Sequence, residues 1–165
     1  MADQVLIFVG SANVWGTIRN PFPVTLRIRI VEESVREAGL TNVMVVALDD
    51  YSDETDICFE WGKFVFKAVE DHMGFLPDLI IHGDDGREND PVLWFDDQTR
   101  ANVHFLMVPR DNTSPSGTRS REMVLENNRS EWETVVPKAV YPYFVTMQGI
   151  LKSVHDKVGS NEEFN

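Results

Sequence analysis

Residues 116–121, with the sequence Ser-Gly-Thr-Arg-Ser-Arg, carry hydroxyl and guanidinium groups that could bind a phosphate. The segment follows an apolar strand-like run and opens a helix-like one. The N-terminus of a helix offers free backbone N–H groups and the positive end of the helix dipole, and both favour anions. The alternative is an ordinary helix cap, in which Thr118 satisfies the first turn and the arginines are solvated. The motif by itself leaves both interpretations open.

The elements that would position this motif follow from the hydrophobic pattern. Four apolar runs have the length and β-branched content of strands buried on both faces: residues 5–9, 42–48, 78–82 and 103–108. Segments with helical spacing of apolar residues occur at 25–38, 57–73, 90–100, 119–127 and 137–154. Strands alternating with helices predict an α/β fold with a Rossmann-like, doubly wound parallel sheet.

Polar loops follow the predicted strands, and the ligands of such sheets bind at the carboxyl ends of the strands. In chain order the loops carry Ser11, Asn13, Arg19, Asp49, Asp50, Tyr51, Asp53, His82, Asp84, Asp85 and Arg110. Arginines of the first and last loops could hold phosphates, and an aromatic ring of Tyr51 or Trp61 could stack on a base. The spacing of Trp61 also fits a core residue. The loops together predict a site that handles a nucleotide.

The composition disfavours several other classes of protein. Fifteen lysines and arginines against 27 aspartates and glutamates give a net charge of −12, which repels nucleic acid and anionic membranes overall. Cys58 is the only cysteine, so an internal disulfide and a cysteine zinc cluster are excluded. The histidines show no metal-ligand spacing, and no metal-ligating residues are assigned. No apolar run approaches membrane-spanning length, and no signal peptide is recognisable, so we expect a cytoplasmic protein.

Five short segments, taken in chain order, form a pattern more specific than any one of them. They are G-S-A at 10–12, T-I-R-N-P-F with a later arginine at 17–27, D-Y at 50–51 with Trp61, S-G-T-x-x-R at 116–121, and Trp132 with V-P-x-x-V at 136–140. This pattern resembles the nicotinamide-nucleotide adenylyltransferases of the archaeal and bifunctional Nudix-linked type. The resemblance covers the chain from residue 5 to about residue 153.

The resemblance implies transfer of an adenylyl group from ATP to nicotinamide mononucleotide (NMN), giving NAD and pyrophosphate with the help of Mg²⁺. By matched position, Thr118 and Arg121 would hold the ATP phosphates as catalytic residues. Arg19 would contact a phosphate, and Trp61 would stack on the nicotinamide ring. The other residues assigned to nucleotide binding are Gly10, Ser11, Ser116, Gly117 and Arg119. Those assigned to the substrate NMN, besides Arg19 and Trp61, are Asn20, Asp50 and Tyr51.

The chain departs from the family pattern in three places. Pro23 stands where threonine is usual, and Leu26 stands where glutamate is usual. The family also begins with a strand, a G-R-F-x-P-x-H-x-G-H loop and a helix, and this sequence shows no such segment. We therefore expect a sheet without its first βα unit. The flank of strand 5–9 toward strand 78–82 would be either empty or closed by direct pairing, and an unpaired edge would favour homo-oligomers.

The sequence predicts one N-terminally incomplete nucleotidyltransferase-like domain over residues 1–154, followed by a flexible tail over residues 155–165. Two other functions stay open at this point. One is a non-catalytic nucleotide-binding or interaction module on the same fold. The other is adenylyl transfer to a different phosphorylated acceptor. The aromatic ring of Trp61 argues against it, because a stacking aromatic residue suits the pyridine ring of NMN.

Overall fold

The computed structural model describes residues 2–51, 59–83, 91–109 and 116–162, and all four predicted strands are present in it. The predicted helices are also present, except that the segment predicted as one helix at 90–100 forms a 3₁₀ helix followed by a separate short α-helix, and the last helix has other bounds. The strands are β1 (Val5–Val9), β2 (Val43–Ala47), β3 (Leu79–Gly83) and β4 (His104–Val108). The α-helices are α1 (Val24–Glu37), α2 (Phe59–Met73), α3 (Asp97–Asn102), α4 (Gly117–Leu125), α5 (Arg129–Trp132) and α6 (Phe144–Glu162). Two 3₁₀ helices cover Pro91–Trp94 and Lys138–Tyr143. The loop residues Asp53, Asp84, Asp85 and Arg110 lie outside the described residues.

The strands pair in parallel, as the sequence predicts for an α/β fold. β1 pairs with β2 from Val5 opposite Val43, and β3 pairs with β4 from Leu79 opposite His104. Within the described residues these pairs form two two-stranded sheets, β1–β2 and β3–β4. The α/β class is therefore confirmed. β1 and β3 belong to different compact units, so the expectation for the flank of β1 toward β3 stays a prediction.

The chain divides into two compact units, of which the first comprises residues 1–50 and 114–165. Its core lies between α4, α5 and α6, where Val124, Trp132 and Leu151 are essentially inaccessible to solvent. The indole Nε1 of Trp132 donates to the Ser120 hydroxyl at 3.2 Å, so the buried polar atom of this ring is satisfied. This core holds the first turns of α4 in place.

The C-terminal part of the first unit differs from the sequence prediction at two points. The last α-helix begins at Phe144, and the predicted start after Pro137 is a 3₁₀ helix that contains Pro142. Proline removes an N–H donor and disfavours α geometry in the residue before it, which explains the later start. α6 then continues past the predicted boundary at residue 154 to Glu162, so the predicted tail begins inside a helix. Each added residue of a formed helix gains one backbone hydrogen bond, which extends α6 beyond Val154, the last buried side chain up to residue 157, where the description of side chains ends.

The second unit comprises residues 51–113. Phe95, 4% exposed, packs its ring against Phe66 of α2 and Phe105 of β4, with ring centroids 4.8 and 5.4 Å away. α2 also approaches the 3₁₀ helix Pro91–Trp94 very closely at the buried residue Gly62. These contacts fix the face of α2 that carries Trp61.

Among the described residues, no helix combines the length and the apolar character needed to cross a membrane.

Candidate functional site

The N-terminus of α4 is capped by Ser116, not by Thr118 as the alternative interpretation of the motif supposed. The Ser116 hydroxyl accepts from the backbone N–H of Arg119 at 3.1 Å, and Ser116 has the extended backbone of an N-cap. The Thr118 side chain is thereby available for other contacts, and its hydroxyl accepts from Nη2 of Arg121 at 3.2 Å. The motif therefore contains both a cap and a hydroxyl–guanidinium pair on the first turn of the helix.

A cavity of about 230 Å³ lies beside this turn, entirely within the first unit. Its lining residues are Ile18, Pro21, Thr118, Arg121, Glu122, Leu125, Leu151, Val154 and His155. Apolar side chains form most of the wall, while the polar groups come from α4 and from the last turns of α6. Such a mixture of apolar walls and a few convergent polar groups is typical of small-molecule sites.

His155 is a lining residue of this cavity that the sequence interpretation assigned to the tail. It follows Leu151 by one helical turn, and Leu151 belongs to the core of the first unit. The signal that could have located it is this i, i+4 spacing on a continuing helix.

The two arginines of the motif have different surroundings. The Arg119 guanidinium lies 3.5 Å from Glu122, 3.6 Å from Glu126 and 3.3 Å from Glu131. Partial desolvation lowers the pKa of Arg119, but its hydrogen bonds to Glu131 and Glu122 raise it, with a net shift upward. Arg121 instead bonds the Thr118 hydroxyl and lines the cavity. This arrangement favours Arg121 as the group that meets a ligand anion, while Arg119 offsets the negative charge of Glu122 at the cavity wall.

The first two loops, which the sequence predicts to face one site, contact each other. The Ser11 hydroxyl donates to Oδ1 of Asp50 at 2.9 Å. Asn13 adds a second link, because its side-chain oxygen accepts from the backbone N–H of Asp50 at 2.9 Å. The loops after β1 and β2 are therefore tied together at the carboxyl ends of their strands, where ligands of α/β sheets bind. Asn13, which the sequence interpretation placed in the first of these loops without giving it a role, belongs to this group.

Arg19 and Asn20 lie in a turn between two residues of the cavity wall, Ile18 and Pro21. The backbone N–H of Asn20 donates to the Thr17 hydroxyl at 2.9 Å, which closes the turn. The Arg19 side chain is exposed, and the described residues provide it with no hydrogen bond or ion pair. An arginine in this position is available to a ligand anion.

Tyr51 and Trp61 belong to an aromatic cluster of the second unit. The Trp61 ring meets Tyr51, Phe64 and Trp94 with centroid distances of 5.8, 6.1 and 6.0 Å. Trp61 is half-buried and Tyr51 is 48% exposed, so the cluster has a solvent-accessible side. This geometry is compatible with both interpretations of Trp61, as a core residue and as a stacking residue, because neighbouring rings hold the indole while part of it is accessible to solvent.

No group of three histidine, cysteine, aspartate or glutamate side chains that could hold a metal ion occurs in the described ranges.

Comparison with known proteins supports the resemblance predicted from the motifs. No protein-family model matches the chain. Nicotinamide-nucleotide adenylyltransferase of Sulfurisphaera tokodaii is 26% identical over 149 residues, covering 89% of this chain and 77% of the relative. The enzymes of the same name from Pyrobaculum aerophilum and Pyrococcus abyssi are 27% and 25% identical over 84% and 98% of this chain, and the matches cover 70% and 79% of those relatives.

The fold is similar to that of a solved bifunctional NMN adenylyltransferase/ADP-ribose pyrophosphatase from Francisella tularensis, complexed with AMP and a manganese ion. The TM-score is 0.58 at 17% identity, and the match covers 98% of this chain but only 45% of the bifunctional enzyme. The chain thus spans less than half of that protein. The chain resembles nicotinamide-nucleotide adenylyltransferases over most of its length, and its fold is of their Rossmann-like α/β type.

Proposed function

We propose that this chain is a nucleotidyltransferase that transfers the adenylyl group of ATP to NMN. A phosphate oxygen of NMN would attack the α-phosphorus of ATP, the bond to the bridging oxygen would break, and pyrophosphate would leave. The observation that carries the proposal is the cavity lined by Thr118 and Arg121, which are the residues matched to the phosphate-binding motif. The likeness to enzymes named for this reaction supports it.

The first turn of α4 is suited to the charge that this reaction develops. An in-line displacement at phosphorus needs positioning and fixed positive charge, and no covalent nucleophile. Arg121 would supply the guanidinium and Thr118 the hydroxyl. Because the Ser116 cap accepts only from Arg119, the N–H groups of Gly117 and Thr118 have no acceptor within the described residues. These donors, at the positive end of the helix dipole, would bind phosphate oxygens.

The other groups would bind and orient the substrates. Arg19, exposed beside the cavity wall, would add a second cation for phosphate. The Asp50 carboxylate, held by Ser11, would accept from a hydroxyl or amide group of NMN, and Asn20 would lie close to the same substrate. Trp61, with Tyr51 beside it, would stack on the nicotinamide ring.

A divalent cation, which we propose to be Mg²⁺, would accompany ATP. Mg²⁺ in such sites takes most of its ligands from substrate phosphates and water. The described residues contain no group of three potential protein ligands, so a cage built from them does not fit, whereas binding through the nucleotide does. Bound in this way, the ion would neutralise phosphate charge.

The test of the phosphate assignment compares Arg121→Ala with Arg129→Ala. Arg129 is exposed and ion-paired to Glu133 at 2.6 Å, and it does not line the cavity. Charge-assisted hydrogen bonds contribute about 1.5–3 kcal/mol, so Arg121→Ala should weaken ATP binding about 10- to 100-fold. Binding of NMN should weaken less. Arg129→Ala should leave both affinities unchanged in isothermal titration calorimetry.

Equal losses for ATP and NMN in Arg121→Ala would contradict the assignment of Arg121 to the ATP phosphates. The reaction itself is tested by mixing the chain with NMN, ATP and Mg²⁺ and measuring NAD with a coupled dehydrogenase. Binding of ATP without formation of NAD would establish the alternative, a non-catalytic nucleotide-binding module. Absence of both binding and turnover would overturn the proposed function.

A further inference from the structure

Arg27 of α1 reaches back to the loop that follows β1. Its Nη1 donates to the carbonyl oxygen of Gly10 at 2.5 Å, and its Nη2 donates to the carbonyl oxygen of Ser11 at 2.7 Å. Its Nε is buried and has no hydrogen-bond partner among the described residues. The planar guanidinium therefore spans two successive peptide groups of the loop, a geometry that its rigid fork of donors permits.

The loop needs such support because Ser11 has a φ of +50°. A serine in this left-handed region is uncommon and persists when its surroundings stabilise the conformation. Arg27 binds the carbonyl groups of the two peptides that flank Ser11, one before its φ angle and one after its ψ angle. On the other side of the loop, the N–H of Ala12 donates to the carbonyl of Leu48 at 3.0 Å. Together the contacts leave the Ser11 backbone one conformation.

That conformation decides where the Ser11 side chain points. Its hydroxyl donates to Oδ1 of Asp50 at 2.9 Å, which occupies one carboxylate oxygen and orients the other. Without the two carbonyl contacts, Ser11 would be free to leave the left-handed region, and its hydroxyl would move with the backbone.

We propose that Arg27 is a positioning residue of the candidate site: it holds the Gly10–Ser11 peptides so that the Ser11 hydroxyl orients the Asp50 carboxylate toward NMN. The proposal rests on the proposed function only in assigning Asp50 to NMN. Arg27 acts through Ser11 and does not itself touch the substrate. Lysine cannot replace it, because a single ammonium group lacks the planar fork that reaches two carbonyls at once.

The experiment compares Arg27→Lys with Arg36→Lys, an exposed arginine in the last turn of the same helix. We expect Arg27→Lys to raise the Kd for NMN about tenfold, on the scale of lost charge-assisted hydrogen bonds, and Arg36→Lys to leave it unchanged. Ser11→Ala should raise the same Kd, and the double variant Arg27→Lys/Ser11→Ala should bind NMN no more weakly than the weaker single variant. Such non-additivity is the signature of a residue that acts through another.

A purely structural role for Arg27 would lower the melting temperature of Arg27→Lys with the Kd for NMN unchanged, and this result would overturn the proposal. Additive losses in the double variant would also overturn it. If Arg27→Lys does not fold, Arg27→Gln, which can donate to one carbonyl, takes its place. An unchanged Kd for NMN in that variant would count against Arg27.

Failure of the proposed function can be separated from failure of this inference by amide hydrogen exchange without ligand. If the unmodified chain binds neither NMN nor ATP, the proposed function fails, but the support of the loop is still measurable. Exchange at residues 10–13 should then be faster in Arg27→Lys than in Arg36→Lys. Equal exchange in the two variants would refute the positioning role.

Discussion

Gly62 is the position where the smallest substitution should have the largest structural effect. A Cβ atom at this helical glycine would clash with the Trp94 carbonyl oxygen and lie 2.9 Å from the Phe95 ring. Real Cβ contacts are essentially never shorter than 3.0 Å, and the nearer atom belongs to the backbone, which cannot swing aside. Gly62→Ala must therefore separate α2 from the 3₁₀ helix Pro91–Trp94.

The expected magnitude is the difference between two opposing effects. Alanine stabilises a helix interior by about 1 kcal/mol relative to glycine. Overpacking costs about 1–3 kcal/mol, and a clash with backbone belongs at or above the upper end. We expect Gly62→Ala to lower the free energy of unfolding by about 2 kcal/mol. At roughly 2–4 °C per kcal/mol for a chain of this size, the melting temperature should fall by about 4–8 °C.

Gly149→Ala is the matched control, because Gly149 is also helical but a Cβ there meets nothing within 4 Å. It should gain up to about 1 kcal/mol from helix propensity alone. Urea unfolding followed by near-ultraviolet circular dichroism measures both variants, and the Trp61 and Trp94 rings, 6.0 Å apart, report on the clash. A Gly62→Ala variant as stable as Gly149→Ala, with an unchanged aromatic spectrum, would refute the packing argument.

Two further predictions concern the aromatic cluster and the contact between α1 and the 3₁₀ helix Lys138–Tyr143. Trp61→Ala should raise the KM for NMN by a factor equivalent to about 1–3 kcal/mol of stacking. The KM for ATP should be nearly unchanged. Unfolding of the variant, or equal changes in the two KM values, would assign Trp61 to the core instead. The hydrogen bond from Tyr143 to Glu33 (2.7 Å), followed by that from Arg29, lowers the pKa of the Glu33 carboxyl. Its stabilising effect is thus present above the ordinary carboxyl pKa and lost as the pH falls through the lowered value. Urea titrations should show the largest stability difference between the unmodified chain and Glu33→Gln at neutral pH and a smaller one in acid, and a difference independent of pH would contradict this.

Local sequence patterns predicted most of the secondary structure because they act over short distances. The continuous apolar runs correctly predicted four strands, with every bound within one residue. The expectation that both faces of each strand are buried was wrong, since Ile81 of β3 is 62% exposed and Leu106 of β4 is 49% exposed. Glycine and proline positions located the ends of α1 and α2. The patterns missed α5, whose four residues Arg129–Trp132 are too short to show helical periodicity, and they placed the end of α6 too early.

Part of the candidate site was also predictable from the sequence. Ser11 and Asp50 follow two strands, and the carboxyl ends of neighbouring parallel strands lie at one edge of a sheet, so their contact could be expected. The hydroxyl and guanidinium groups of residues 116–121 indicated an anion site, because a helix N-terminus attracts an anion without any distant partner.

Only the tertiary structure decided how individual side chains are used. Sequence could not distinguish Arg119 from Arg121, because the carboxylates that engage Arg119 include Glu131, which belongs to another helix. The i, i+4 spacing could place His155 on the face of α6 that carries Leu151, but the position of that face at the cavity depends on how α6 packs against α4. The support of Ser11 by Arg27 likewise joins residues 16 positions apart. Sequence by itself determined most of the elements and which chemical groups they carry, because propensity and periodicity are local. Long-range packing decided which of those groups are in contact, because a displacement of a few ångströms determines whether an arginine forms a salt bridge.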